Sequence, residues 1–218
     1  MTDDWRSKMA SWTPGKPEWP TPVPNLVPDP ADDPNLTPAE AAIAAESKRL
    51  IAVLGEHRDD GYSLACVADV DVAEAVRRLD AEVLTAADVP TDEDILVLAA
   101  TTVPGGCVLF QPWGYGASTP GVLTALSFNT TCYGMYANPK SGDQGSVVAD
   151  GVWLGSDLFP GGGPDEDDDS PQLLERFYED HAIAYCFAYV DLKPTDARSI
   201  TGPPDTWLRL PERDYYAV

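Results

Sequence analysis

Ile95-Leu96-Val97-Leu98-Ala99-Ala100-Thr101-Thr102-Val103-Pro104-Gly105-Gly106-Cys107-Val108-Leu109-Phe110-Gln111 is the stretch from which the fold is read. Two apolar runs, 95–102 and 107–111, flank Val103-Pro104-Gly105-Gly106, whose turn chemistry predicts a β-hairpin. Further along, residues 130–137 and 146–154 predict a second hairpin, joined by Asn138-Pro139-Lys140-Ser141-Gly142-Asp143. Upstream, residues 62–70 read as one more strand.

The helix signals lie between and around these strands. Thr37-Pro38-Ala39-Glu40 is a capping box with proline at the first helical position. The helix it opens carries Ile43, Leu50, Ile51 and Leu54 on one stripe, and Gly55 or Asp59-Asp60-Gly61 ends it. Asp71-Val72-Ala73-Glu74 opens a second helix through Asp80, with Val72, Val76 and Leu79 facing inwards. Ser118 or Thr119 caps a short third helix carrying Val122, Leu123 and Leu126. Ser170-Pro171 starts a last one through Leu173, Leu174, Phe177 and Tyr178. Beyond it, Ile183, Tyr185 and Phe187 continue that helix or give way to a strand. Strands joined by hairpins, without regular βαβ alternation, predict an α+β fold. The expected form is a mainly antiparallel sheet with two or three helices packed on one face.

Residues 37–218 form a single domain in this reading, with an acidic loop at 161–170. Residues 1–36 are different material. Nine of the 21 prolines lie between Pro14 and Pro38, which predicts an extended, polyproline-like arm without a helix or ladder of its own. Trp5, Trp12 and Trp19 make up half of the tryptophans. Exposed indoles are costly in water, so the arm is expected to pack on its own domain, a second copy or a partner.

Fourteen basic against 36 acidic residues give a net charge of −22. Lys48, Arg49, Arg77, Arg78, Arg176 and Arg209 are scattered in ones and twos, so direct nucleic acid binding is not expected. A basic protein partner would instead be steered towards this surface. The plainer alternative is that the acidity serves solubility alone. No apolar run is long enough to span a membrane, and the first ten residues lack the apolar core of a secretory signal. A cytoplasmic protein is expected. Cys66, Cys107, Cys132 and Cys186 each sit in apolar runs without a CxxC spacing, which predicts buried free thiols.

Four pieces of the chain carry a resemblance. They are Tyr62-Ser63-Leu64 running on to Asp71-Val72-Ala73-Glu74-Ala75-Val76-Arg77-Arg78-Leu79, then Cys107-Val108-Leu109-Phe110-Gln111-Pro112. The turn Trp113-Gly114-Tyr115-Gly116-Ala117-Ser118 and the helix Pro120-Gly121-Val122-Leu123-Thr124-Ala125-Leu126-Ser127 follow. Over about residues 48–155 the chain resembles a family of uncharacterised actinobacterial proteins. Gln111 replaces the acid usual there, and Trp113 stands where asparagine is expected. The resemblance implies a related fold and a cytosolic actinobacterial origin; it brings no activity.

Catalytic and metal signals are thin. His57 and His181 lie far apart and outside any metal-ligand spacing, and Asp165-Glu166-Asp167-Asp168-Asp169 lacks the glycine and final glutamate of a calcium loop. Gly116-Ala117-Ser118-Thr119-Pro120 fails as a nucleophile elbow, and no cofactor is expected. The glycines at 114 and 116 would let Trp113 and Tyr115 sit on a tight turn as recognition anchors, or fold back on the sheet edge. The leading expectation is therefore an acidic protein-binding module, an inhibitor or immunity protein that neutralises a basic partner such as a toxin domain. Its contact residues would be Trp113, Tyr115, Asp165, Glu166, Asp167, Asp168, Asp169, Trp5, Trp12 and Trp19. The alternatives are a structural subunit whose arm, residues 1–36, binds neighbouring copies, a DNA mimic, and a small-ligand-binding protein or enzyme. Glu175 or Asp191, perturbed in a cleft, would favour the last of these.

Overall fold

A computed structural model describes residues 29–55, 61–85, 94–162 and 172–216. Eight strands form one sheet: β1 (Tyr62–Ala68), β2 (Glu82–Leu84), β3 (Val97–Val103), β4 (Gly106–Pro112), β5 (Thr131–Asn138), β6 (Gly142–Ala149), β7 (Val152–Asp157) and β8 (Thr206–Arg209). Their order is β2-β8-β3-β4-β1-β5-β6-β7, and every neighbouring pair is antiparallel. The predicted α+β class and antiparallel sheet are what the chain adopts.

Strand β1 lies inside the sheet and is buried on both sides, which is why its sequence shows no apolar–polar alternation. Leu64 and Cys66 point to one face, Ala65 and Val67 to the other, and all four are fully buried. Each face has its own core. The first joins Leu64, Cys66, Val108, Tyr133 and Met135 to helix α1 (Pro38–Leu54), to Phe177 and Tyr178 after the short α4 (Gln172–Glu175), and to α5 (Ala182–Tyr189). The second joins Ala65, Val67, Leu98, Leu109 and Cys132 to α2 (Val72–Leu79) and α3 (Pro120–Leu126). The expected two or three helices on one face are present as α1, α4 and α5; α2 and α3 cover the opposite face as well. Burying a leucine-sized side chain contributes about 1.5–3 kcal/mol, so the two faces together fix the position of β1 firmly.

Local signals explain the helix ends. Thr37 and Glu40 close the capping box: the Glu40 backbone N–H donates to Thr37 Oγ1 at 3.3 Å, and the Thr37 N–H donates to Glu40 Oε2 at 2.8 Å. Gly55 ends α1 at φ +74°, where its missing Cβ removes the steric penalty. Asp71 caps α2 by accepting from the Glu74 N–H at 2.8 Å.

Three expectations are corrected or narrowed. Residues 146–154 are not one strand: Asp150 and Gly151, at φ +50° and +74°, turn the chain between β6 and β7. The last helix is broken, with α4 and α5 separated by a turn in which Asp180 takes φ +62°. Thr119 takes the N-cap position of α3, but its side chain makes no capping bond; its hydroxyl donates instead to the Gly116 carbonyl at 2.9 Å. Near the end of the sequence the chain adds α6 (Arg198–Thr201) and β8, which inserts between β2 and β3; neither element was read from the sequence. All four cysteines are free and buried, as the sequence predicts.

Candidate functional site

One end of the sheet gathers the notable side chains. There β4 ends at Pro112, β1 begins at Tyr62 and β5 ends at Asn138, with Tyr62 registered against both Pro112 and Ala137. Immediately after β4, Trp113 adopts φ +58°, a left-handed conformation that costs a non-glycine residue about 1–2 kcal/mol. Its N–H donates to the Gly61 carbonyl at 2.6 Å, and its indole stands 55% exposed.

The turn is held from beneath by Gln111, a buried polar side chain on β4. Its amide nitrogen donates to the carbonyls of Asp94 and Val97, each at 3.0 Å, and its oxygen accepts from the Gly116 N–H at 2.7 Å. Ser63 Oγ accepts from the next amide, Ala117, at 3.1 Å. A Cβ at Gly114 would collide with the Gln111 amide, and one at Gly116 with the Ile95 carbonyl. Both glycines are thus required by close approach. Gln111 also does what an acid could not, because a carboxylate cannot donate to two carbonyl oxygens.

Tyr115 is 39% exposed and belongs to a group of rings. Its centroid lies 6.4 Å from Tyr136 on β5, nearly edge-on, and 6.2 Å from the exposed Tyr216. Asn138 Nδ2 donates to the Tyr136 hydroxyl at 2.9 Å. Of the two placements expected for these rings, exposed or folded onto the sheet, Trp113 takes the exposed one. Tyr115 follows the second in part.

On the other side of the same sheet end is a cleft of about 460 Å³, bounded by Tyr62, Asn138, Asp143, Phe159, Asp180 and His181. Burial pushes the Asp143 carboxyl above its ordinary value and the Tyr62 hydroxyl higher still. Neither acid named as a mark of catalysis stands in it. Asp191 is exposed and pairs with Lys193 at 2.7 Å, and Glu175 is buried with the Tyr185 hydroxyl 3.5 Å away. The described residues hold no group of three His, Cys, Asp or Glu side chains placed to take a metal. Burial pushes the Cys107 thiol up to about 12 and raises Cys66 and Cys186 further from reactivity.

Charge is distributed unevenly. Lys48, Arg49, Arg77, Arg78, Arg176, Lys193 and Arg198 all pair with carboxylates of their own chain. These seven cations are committed internally, which leaves the acidic excess to dominate the outward field. The remaining contact residues named from the sequence, Asp165, Glu166, Asp167, Asp168, Asp169, Trp5, Trp12 and Trp19, lie outside the described residues, as does His57.

A third surface was not foreseen. Strand β7 is an edge of the sheet; Val152, Trp153 and Leu154 on it and Leu158 and Phe159 just past its end are exposed, Leu154 at 63% and Phe159 at 77%. Phe128, also exposed, lies beside Gly151 at its start. No described helix is long and apolar enough to cross a membrane. Comparison with protein-family models, with curated proteins and with solved structures finds no match to this chain.

Proposed function

We propose that this chain is an acidic, non-catalytic protein-binding module that uses the Trp113 turn to anchor one basic protein partner, as an inhibitor or immunity protein holds a toxin domain. The observation that carries the reading is Trp113: a large indole held in left-handed backbone, half in water, on a turn pinned by Gln111. Strain at an exposed aromatic is commonly retained where the ring has a contact to make. The field around it supports a cationic partner. Unneutralised carboxylates steer a Lys/Arg-rich surface towards the module and away from nucleic acid, and the aromatic anchor sets the residence time. Free thiols fit a reducing cytoplasm, where we place the protein. The likeness over residues 48–155 to uncharacterised actinobacterial proteins remains a proposal about ancestry.

The test is a tagged capture from an actinobacterial lysate, eluted in salt steps, with the wild-type chain and Trp113→Ala side by side. One basic protein at near-equal stoichiometry, held by the wild type and lost from the variant, is the expected result. Many DNA-binding proteins released together at high salt would indicate a mimic of DNA. Equal retention by both baits, or recovery of the bait alone, would overturn the proposal.

A further inference from the structure

A carboxylate taken out of water costs stability until a donor or a cation offsets the loss of solvation. Among the described residues, Asp33, Glu40, Glu46, Glu74, Asp94, Asp157 and Glu175 are buried or half-buried, and each has a partner. Backbone N–H groups of Asn35, Thr37 and Leu96 donate to Asp33, Glu40 and Asp94. Arg49 donates to Glu46, Arg77 to Glu74 and the Tyr133 hydroxyl to Asp157, while Glu175 faces the Tyr185 hydroxyl. Asp143 is the exception. It is half-buried on β6, and no described donor or cation reaches its carboxylate; Lys140, in the turn just before β6, does not pair with it. Its charge nevertheless lies close enough to the core to be felt by the Tyr62 hydroxyl and the Cys186 thiol.

That carboxylate borders the cleft at the end of the sheet, whose volume of about 460 Å³ is in the range of small-molecule sites. Tyr62, Ala137, Phe159, Pro160 and Ile183 supply apolar wall. We propose that the cleft binds a small organic ammonium ion, a protonated amine with an apolar body, whose charge rests on the Asp143 carboxylate. None of this involves the Trp113 turn or its protein partner.

The chemistry of the two sides matches. A primary ammonium brings three N–H donors and a positive charge, which are what Asp143 lacks within its own chain. The apolar body fills the space beyond, against Tyr62 and Phe159, where aromatic rings also favour a nearby cation. An anion would meet both Asp143 and Asp180. A second cation is disfavoured, because the amino end of α5 borders the same cleft at Ala182, Ile183 and Ala184 and carries partial positive charge. One amine per chain is the stoichiometry this arrangement accepts.

The experiment titrates the full-length, isotopically labelled chain with 2-phenylethylamine, following its amide resonances, and in parallel with neutral 2-phenylethanol of nearly the same shape. Saturable shifts at residues 137–143 and 180–184 are expected for the amine, with the alcohol about tenfold weaker or less. Asp143→Asn should weaken the amine by about the same factor. It should also melt no lower than the wild type, because it removes a charge that nothing offsets. A lowered midpoint would reveal a structural partner for Asp143 and overturn the assignment. So would equal affinity for amine and alcohol, unchanged binding in the variant, or unsaturated shifts spread over the acidic surface. Tighter binding of Nα-acetyl-lysine methylamide than of 2-phenylethylamine would make the cleft a pocket for a protein's lysine and overturn it equally.

Discussion

The side-chain oxygen of Gln111 lies 2.7 Å from the Gly116 amide nitrogen, while its amide group reaches two carbonyls on the far side. One buried side chain therefore joins the end of β4, the start of β3 and the turn after Trp113. Those three hydrogen bonds tie the turn that carries Trp113 to two neighbouring segments of the chain.

Gln111→Glu keeps the size of the side chain and removes both donations, setting a buried carboxylate against the carbonyls of Asp94 and Val97. A loss of roughly 2–4 kcal/mol in chemical denaturation is expected, together with weaker partner retention. An unchanged midpoint would show that the turn is held some other way.

Acid titration has a defined window. The hydrogen bond from Arg49, supported by Lys193, holds the Glu46 carboxyl down at about 2 against an ordinary 4.5. A carboxylate depressed in the folded state contributes stability that is complete above the unfolded value and lost as pH falls through the folded one. Stability is thus expected to decline between about pH 4.5 and 2, and Glu46→Gln should flatten that limb. The side chain is partly open to solvent, so added salt should weaken the effect. A variant with the same acid slope as the wild type would exclude this triad as its source.

The four thiols should be silent in the native protein. With burial raising the Cys107 thiol to about 12, a thiol-specific disulfide reagent at mildly alkaline pH should label none until denaturant is added, and then all four. Rapid labelling of one cysteine in the native state would mean that its strand opens locally.

What the sequence revealed depended on how local each signal was. Thr37 and Glu40 are three residues apart, so the capping box and the helix behind it could be read directly. The Trp113 turn was visible through Gly114 and Gly116 for the same reason. Its companions Tyr136 and Tyr216 were not, because only the strand order brings residues 21 and 101 positions away from Tyr115 to its side. Asp150-Gly151 is a strong hairpin signal that the unbroken apolar run around it concealed. Strand β8 is four residues between prolines, too short to show a period of its own; its pairing with β2 and β3 decides its conformation. The rim on β7 was hidden for a different reason. Val152-Trp153-Leu154 has the composition of a core strand, and nothing local distinguishes a core strand from an uncovered edge.

The position of β8 has a consequence for the order in which the molecule can be completed during synthesis. Strand β2 touches the sheet only through β8, and Thr206 leaves the ribosome more than a hundred residues after Leu84. Until then β3 presents an unpaired flank with Leu98 beside it, and β2 has nothing to join. A nascent chain is therefore vulnerable along β3 for the roughly one hundred residues that separate it from β8. Only when the penultimate stretch emerges does that flank close, in one step that admits two strands at once.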